Sequence, residues 1–170
     1  MKDIAAQDQG GAAPVVTLRP EQPGDEGFLY EVYASTRQEE LALTGWDEAM
    51  RRAFLAQQFG AMRVGYRGSF PAAEFAIILQ GAEPVGRMVI DRGAESIRVV
   101  DLALLPAHCH RGLGTLLLRR VCAEAAAAGR PVRLSVLKQN RAVGWYERLG
   151  FRRIAEAGPY DEMEWRPEAG

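Results

Sequence analysis

The sequence predicts an α/β (α+β mixed) domain, a mixed sheet of about seven strands with helices on both faces. Three observations carry this reading. Short apolar, β-branched runs alternate with segments of helical periodicity, in the order β-α-α-β-β-β-α-β-α-β-β. Gly or Pro punctuates most junctions between them. A length of 170 residues, 48% hydrophobic and 25% charged, suits one domain with a sizeable core.

Val15–Arg19 reads as a first strand ended by Pro20, after a lead-in over 1–14 whose Ala, Gly, Gln and Asp predict disorder. The domain is expected over 15–167. Glu26 to about Leu43 carries a helical pattern with Phe28, Leu29, Val32 and Tyr33 on one side. Thr44 reads as an N-cap with Asp47 at N3, opening a second helix to about Tyr66. Glu74–Leu79 and Val85–Ile90 are strands joined by a turn at 81–84, and 91–93 turns into the next strand, which Pro106 follows. A long helix from Gly112 to Ala128 ends in an Ala-rich tail. Val132–Val136 is a strand, Asn140–Leu149 a short helix with Asn140 as N-cap and Gly150 as its stop. Phe151–Glu156 and Tyr160–Trp165 close the chain around Gly158-Pro159.

Composition excludes several function classes. A net charge of −1 gives no basic surface for nucleic acid or membrane. No apolar run approaches the roughly 20 residues of a membrane span. The first 14 residues lack the apolar centre of a signal peptide. Cys109 and Cys122 are too few for a disulfide framework or a metal site and suit a reducing cytoplasm. No metal is expected.

The most informative stretch is His110-Arg111-Gly112-Leu113-Gly114-Thr115, between an apolar strand and an amphipathic helix. Glycines at a strand-to-helix turn let backbone N–H groups converge, and the helix N-terminus adds partial positive charge. Such a turn suits a pyrophosphate. A Walker loop needs a Lys-Ser/Thr pair after its last glycine, and Gly114 is followed by Thr115-Leu116. A dinucleotide fingerprint needs three glycines early in a βαβ unit. Alone, the pair of glycines is equally a tight turn and a close-packing position.

Further motifs stand at set distances: Asp101-Leu-Ala-Leu-Leu-Pro106 before the loop, and Asn140…Tyr146-Glu-Arg-Leu-Gly-Phe151 after it. In this order, over about residues 85 to 151, the chain resembles the GNAT superfamily of acyl-CoA-dependent N-acetyltransferases. The resemblance implies a mostly antiparallel sheet and acetyl-CoA as co-substrate. It also implies direct attack by a primary amine, on a small molecule or peptide, in a ternary complex. His110, Arg111, Gly112, Leu113, Gly114 and Thr115 would hold the pyrophosphate. Leu102, Ala103 and Leu104 would bind the pantetheine arm and acetyl carbonyl from a strand splayed from its neighbour. Asn140 would contact the arm, with Gln139 as the alternative register. Tyr146 would protonate the leaving thiolate, as a phenol near pKa 10 can at neutral pH. Each has a plainer structural reading: a solvent-facing Arg111, a buried strand, an N-cap at Asn140, a core aromatic at Tyr146. Where the family usually has Gln or Arg, three residues before Gly112, this chain has Cys109.

No His stands in a base position, since His108 and His110 fall in the cofactor loop. Ser135 occupies the strand position where some relatives carry a Glu base. Asp101 is the best single acid, or else pairs with a nearby Arg, with Glu39, Glu40 and Glu74 in reserve. Tyr33, Thr36, Arg37, Glu39, Glu40 and Trp46 fall where the fold builds its acceptor wall, or form a solvated helix face. A non-catalytic acyl-CoA-binding or assembly protein of the same fold is the competing expectation. Tyr160–Trp165 is expected as an edge strand through which a homodimer could pair.

Overall fold

A computed structural model describes residues 15–167; the lead-in expected over 1–14 lies outside the described residues. Seven strands form one sheet, in spatial order β1-β2-β3-β4-β5-β7-β6. They are β1 (Val16–Pro20), β2 (Glu74–Gln80), β3 (Glu83–Arg92), β4 (Ile97–Leu104), β5 (Val132–Leu137), β6 (Arg152–Ala157) and β7 (Tyr160–Trp165). Helices α1 (Glu26–Ser35), α2 (Gln38–Ala42) and α3 (Glu48–Ser69) precede β2; α4 (Leu113–Ala127) and α5 (Ala142–Arg148) flank β5. All neighbouring pairs are antiparallel except β4 and β5.

The period-2 alternation of the strands buries both faces. Ile78, Met88, Ile97, Val132, Leu134 and Met163 point to one side, where Leu113, Leu117, Leu118 and Val121 of α4 cover them. On the other face Ile77 meets Leu29 and Tyr33 of α1 and Phe59 of α3. Apolar burial of this kind contributes about 25 cal/mol per Å² and holds the layers together.

Several expected boundaries move. The helix expected over 26–43 is broken, because the hydroxyls of Ser35 and Thr36 donate to the carbonyls of Val32 and Tyr33, each at 2.7 Å. Such back-bonding competes with helix propagation. Thr44 is no N-cap: its hydroxyl donates to the Leu41 carbonyl at 2.8 Å. Asp47 caps α3 instead, its Oδ1 accepting from the Met50 N–H at 2.8 Å. The strand expected to end at Ile90 runs on to Arg92. Tyr160–Trp165, expected at an edge, is inserted between β5 and β6, so β6 takes the edge.

Gly86 is demanded by packing. A Cβ there would sit 2.3 Å from the Ala103 carbonyl oxygen and 2.8 Å from the Leu104 side chain. Gly86→Ala is therefore expected to destabilise the domain by about 3 kcal/mol in urea unfolding. A change below about 1 kcal/mol would show that β3 and β4 part without penalty.

Candidate active site

Two local irregularities open the middle of the sheet. In β4, Val99 pairs with Ile90 and Asp101 with Val89, leaving Val100 as an extra, bulged residue. On its other side β4 pairs with β5 only at Ile97↔Val132 and Arg98↔Arg133. Beyond Arg98 the parallel strands diverge. Val99–Leu104 thus has β3 on one edge and no strand on the other. Leu102, Ala103 and Leu104, half-buried, line this gap with free backbone polar groups.

The open end of the gap leads into the glycine loop. Gly112, at φ +80°, caps α4, and its carbonyl accepts from the Leu116 N–H at 2.9 Å. Among the described residues, no backbone or side-chain acceptor takes the N–H groups of residues 110–115. His110 also adopts a left-handed conformation, at φ 59°. Consecutive free N–H groups at a helix start form an anion cradle. Arg111 is exposed at its rim and makes no ion pair among the described residues.

Trp145, the residue before Tyr146, braces this loop. Its indole N–H donates to the Thr115 hydroxyl at 3.0 Å. Its ring lies 3.2 Å from where a Cβ on Gly114 would stand. Cys109, standing where the family has a longer polar side chain, turns its thiol toward the carbonyls of Leu104 and Leu105 at 3.6 and 3.5 Å. Burial pushes this thiol's pKa up. These weak contacts tie the loop back to β4. His108 faces away, its Nδ1 3.0 Å from Gln80 Oε1.

Tyr146 lies on α5, its ring packed at 4.8 Å from Trp145 and 5.8 Å from Phe151. Burial, and then the charge of Asp101, push its pKa up to about 12. The same two causes push Tyr66 of α3 up to about 12. Asp101 therefore acts on a phenol from each face of the sheet. Its Oδ2 accepts from Arg87 Nε at 2.5 Å. Arg87 is buried among α1 and α3, where it reaches the Leu29 carbonyl and stacks 5.7 Å from the Tyr33 ring. The pairing with an arginine, one of the two sequence expectations for Asp101, is what the fold contains.

Asn140 stands one residue before the N-cap, which is Arg141. Its Oδ1 accepts from the Ala142 N–H at 2.9 Å and its side chain is otherwise exposed. Among the residues expected to form an acceptor wall, Arg37 pairs with Glu40 at 2.8 Å, Tyr33 is buried, and Glu39 is solvent-exposed. Sequence reading missed Arg87, Tyr66 and the bracing role of Trp145. An arginine inside the apolar run of β3 was the one available signal.

Residues 71–153, the stretch holding the gap, the loop and α5, match the family model described as an acetyltransferase (GNAT) domain. Through this stretch, just under half of its length, the chain resembles the GNAT superfamily. Solved structures share the GNAT fold along nearly the whole chain. PaiA N-acetyltransferase from Thermoplasma acidophilum, in complex with coenzyme A, superposes with a TM-score of 0.68 at 19% identity, covering 90% of this chain and 99% of that one. An acetyltransferase from Thermus thermophilus gives 0.62 at 24% identity, over 88% and 94% of the two chains. A GNAT family acetyltransferase from Elizabethkingia anophelis with acetyl-CoA bound gives 0.56 at 14% identity, over 89% and 98%. The parted β4 and β5 and the loop of free N–H groups both lie within the stretch that the family model matches. Among the described residues no helix is long and apolar enough to cross a membrane.

Proposed function

We propose that the chain transfers the acetyl group of acetyl-CoA to a primary amine by direct attack in a ternary complex. The observation that supports this most is the continuity of the unpaired β4 edge with the free N–H groups of residues 110–115. The residues fit the co-substrate. The N–H groups of His110 to Thr115 would hold its pyrophosphate, with Arg111 adding a charge-assisted contact. The β4 edge at Leu102, Ala103 and Leu104 would bind the pantetheine arm and polarise the acetyl carbonyl, as preorganised donors do in an oxyanion hole. Asn140 would hold the arm from the far side.

Tyr146 is the general acid in this reading, giving its phenolic proton to the departing sulfur. Burial first, and then the nearby charge of Asp101, keep the phenol protonated. Asp101 is occupied by Arg87, and the acceptor ammonium would release its proton to bulk water before the free amine attacks. The acceptor is a small-molecule or peptide amine that approaches from the α1–α3 face. A cytoplasmic setting keeps Cys109 and Cys122 as thiols. A homodimer, expected by analogy, would pair through β6, which is exposed along its length, or through β1.

Calorimetric titration with acetyl-CoA, free CoA and ATP tests the reading. Saturable binding of acetyl-CoA and CoA, with ATP much weaker, is expected. No binding by a folded sample would overturn it. Binding without thiol release across a broad amine panel would move the protein to the non-catalytic alternative.

A further inference from the structure

The second half of α4 is rich in alanine, which favours helix and adds almost no bulk. α5 lies beside this helix, with the Trp145 ring against Gly114 and Leu149 one turn further on. Because α4 is so thin there, a cavity of about 340 Å³ stays open between α4, the end of α5 and the end of β7. Its apolar walls are Leu118, Cys122, Leu149 and Trp165. Its charged groups are Arg119 of α4 and Arg148 of α5. Small-molecule sites begin at about 300 Å³ and are mostly apolar with a few convergent polar groups, a description that this cavity meets.

The two arginines have no counter-charge. No carboxylate lines the cavity. Glu124 of α4 is taken by Arg92, and Glu164 of β7 by Arg133 and Arg166. Arg119 and Arg148 are exposed and make neither an ion pair nor a side-chain hydrogen bond among the described residues. Two such charges beside an apolar hollow complement a molecule with an anionic head and an apolar body. A guanidinium binds a carboxylate through paired N–H donors. A hydrocarbon body would cover Leu118, Leu149 and the Trp165 ring, removing apolar surface from water. A polyamine would be repelled. The cavity shares no residue with the glycine loop or with the unpaired edge of β4, and Arg119 lies about 9 Å along α4 from Leu113.

We propose that this cavity is a second binding site, for an apolar monocarboxylate of the medium-chain fatty acid class. Arg119 and Arg148 bind the carboxylate, and the cleft between α4 and α5 takes the hydrocarbon. The assignment does not rest on the acetyltransferase reading.

Calorimetric titration of the intact chain with sodium octanoate tests it. Saturable binding is expected, with neutral 1-octanol at least about 10-fold weaker. Exchanging both cations, Arg119→Gln with Arg148→Gln, should weaken octanoate at least about 10-fold. Ala123→Leu puts bulk into the cavity from an exposed helix position and should weaken octanoate by about 10-fold too. It serves if the double variant proves unfolded by circular dichroism. Saturating octanoate should slow alkylation of Cys122 and leave Cys109 unaffected, as read by mass spectrometry of the peptides. Excess free CoA should leave octanoate affinity unchanged. No binding by the folded wild type, undiminished binding by a folded variant, an unprotected Cys122, or displacement of octanoate by CoA would each overturn the site.

Discussion

Tyr146→Phe is expected to lower kcat by about 100-fold or more. Acetyl-CoA affinity should stay within about two-fold, because the hydroxyl is used mainly when the sulfur departs. The ring remains, with its contacts to Trp145 and Phe151, so α5 and the loop it braces should be undisturbed. Steady-state thiol release with the best amine from a panel, alongside calorimetry, separates the two quantities. Equal turnover in the variant would remove Tyr146 from the reaction. The pH profile adds an independent check. With its pKa pushed up to about 12, the phenol stays protonated through neutral and mildly alkaline solution. As pH rises, kcat should therefore climb while the acceptor ammonium loses its proton and then hold level to about pH 10. A fall centred near about pH 8 that vanished in the Phe variant would contradict the environment described for Tyr146.

The second large effect is expected at Gly112. Its φ of +80° is a conformation that β-branched residues rarely adopt. No protein atom lies within 4 Å of a Cβ placed there, so the added side chain would stand in the open space above the N–H cradle. Gly112→Val is expected to weaken acetyl-CoA binding by about 30-fold, as losing a hydrogen bond to a charged group costs about 2 kcal/mol. The melting temperature should fall only modestly, which separates a blocked cradle from a lost fold. Gly114 behaves differently, since a Cβ there meets the Trp145 ring at 3.2 Å and disturbs the protein itself. Unchanged affinity in the Val variant would place the pyrophosphate elsewhere.

Much of the fold was legible because its signals are local. The apolar runs of β2, β3 and β5, the helical stripe of α4 and the stop at Gly150 stand within a few residues of their causes. The misplacements fall where a side chain competes with its own backbone. Ser35 and Thr36 break the first helix, and Asp47 rather than Thr44 starts the third, because a hydroxyl or carboxylate chooses among several nearby partners. The β6–β7 order was misjudged because strand adjacency is set by pairing with β5, far away in the chain.

The candidate site divides in the same way. Gly112, Gly114, Tyr146 and Asn140 could be named from motif spacing, since a loop before a helix and a helix after a strand are short-range arrangements. Sequence by itself determined the mixed α/β architecture, the glycine turn ahead of α4 and the order of the motifs. Only the tertiary structure decided that Asp101 is held by Arg87, that Trp145 braces Thr115, and that Arg98 meets Ser135 and Glu162 where β4 leaves β5. The physical reason is that a charged side chain's role depends on which partner the folded chain brings within hydrogen-bond reach. For Arg98 and Glu162 that partner lies on a strand many residues away, where no local pattern records it.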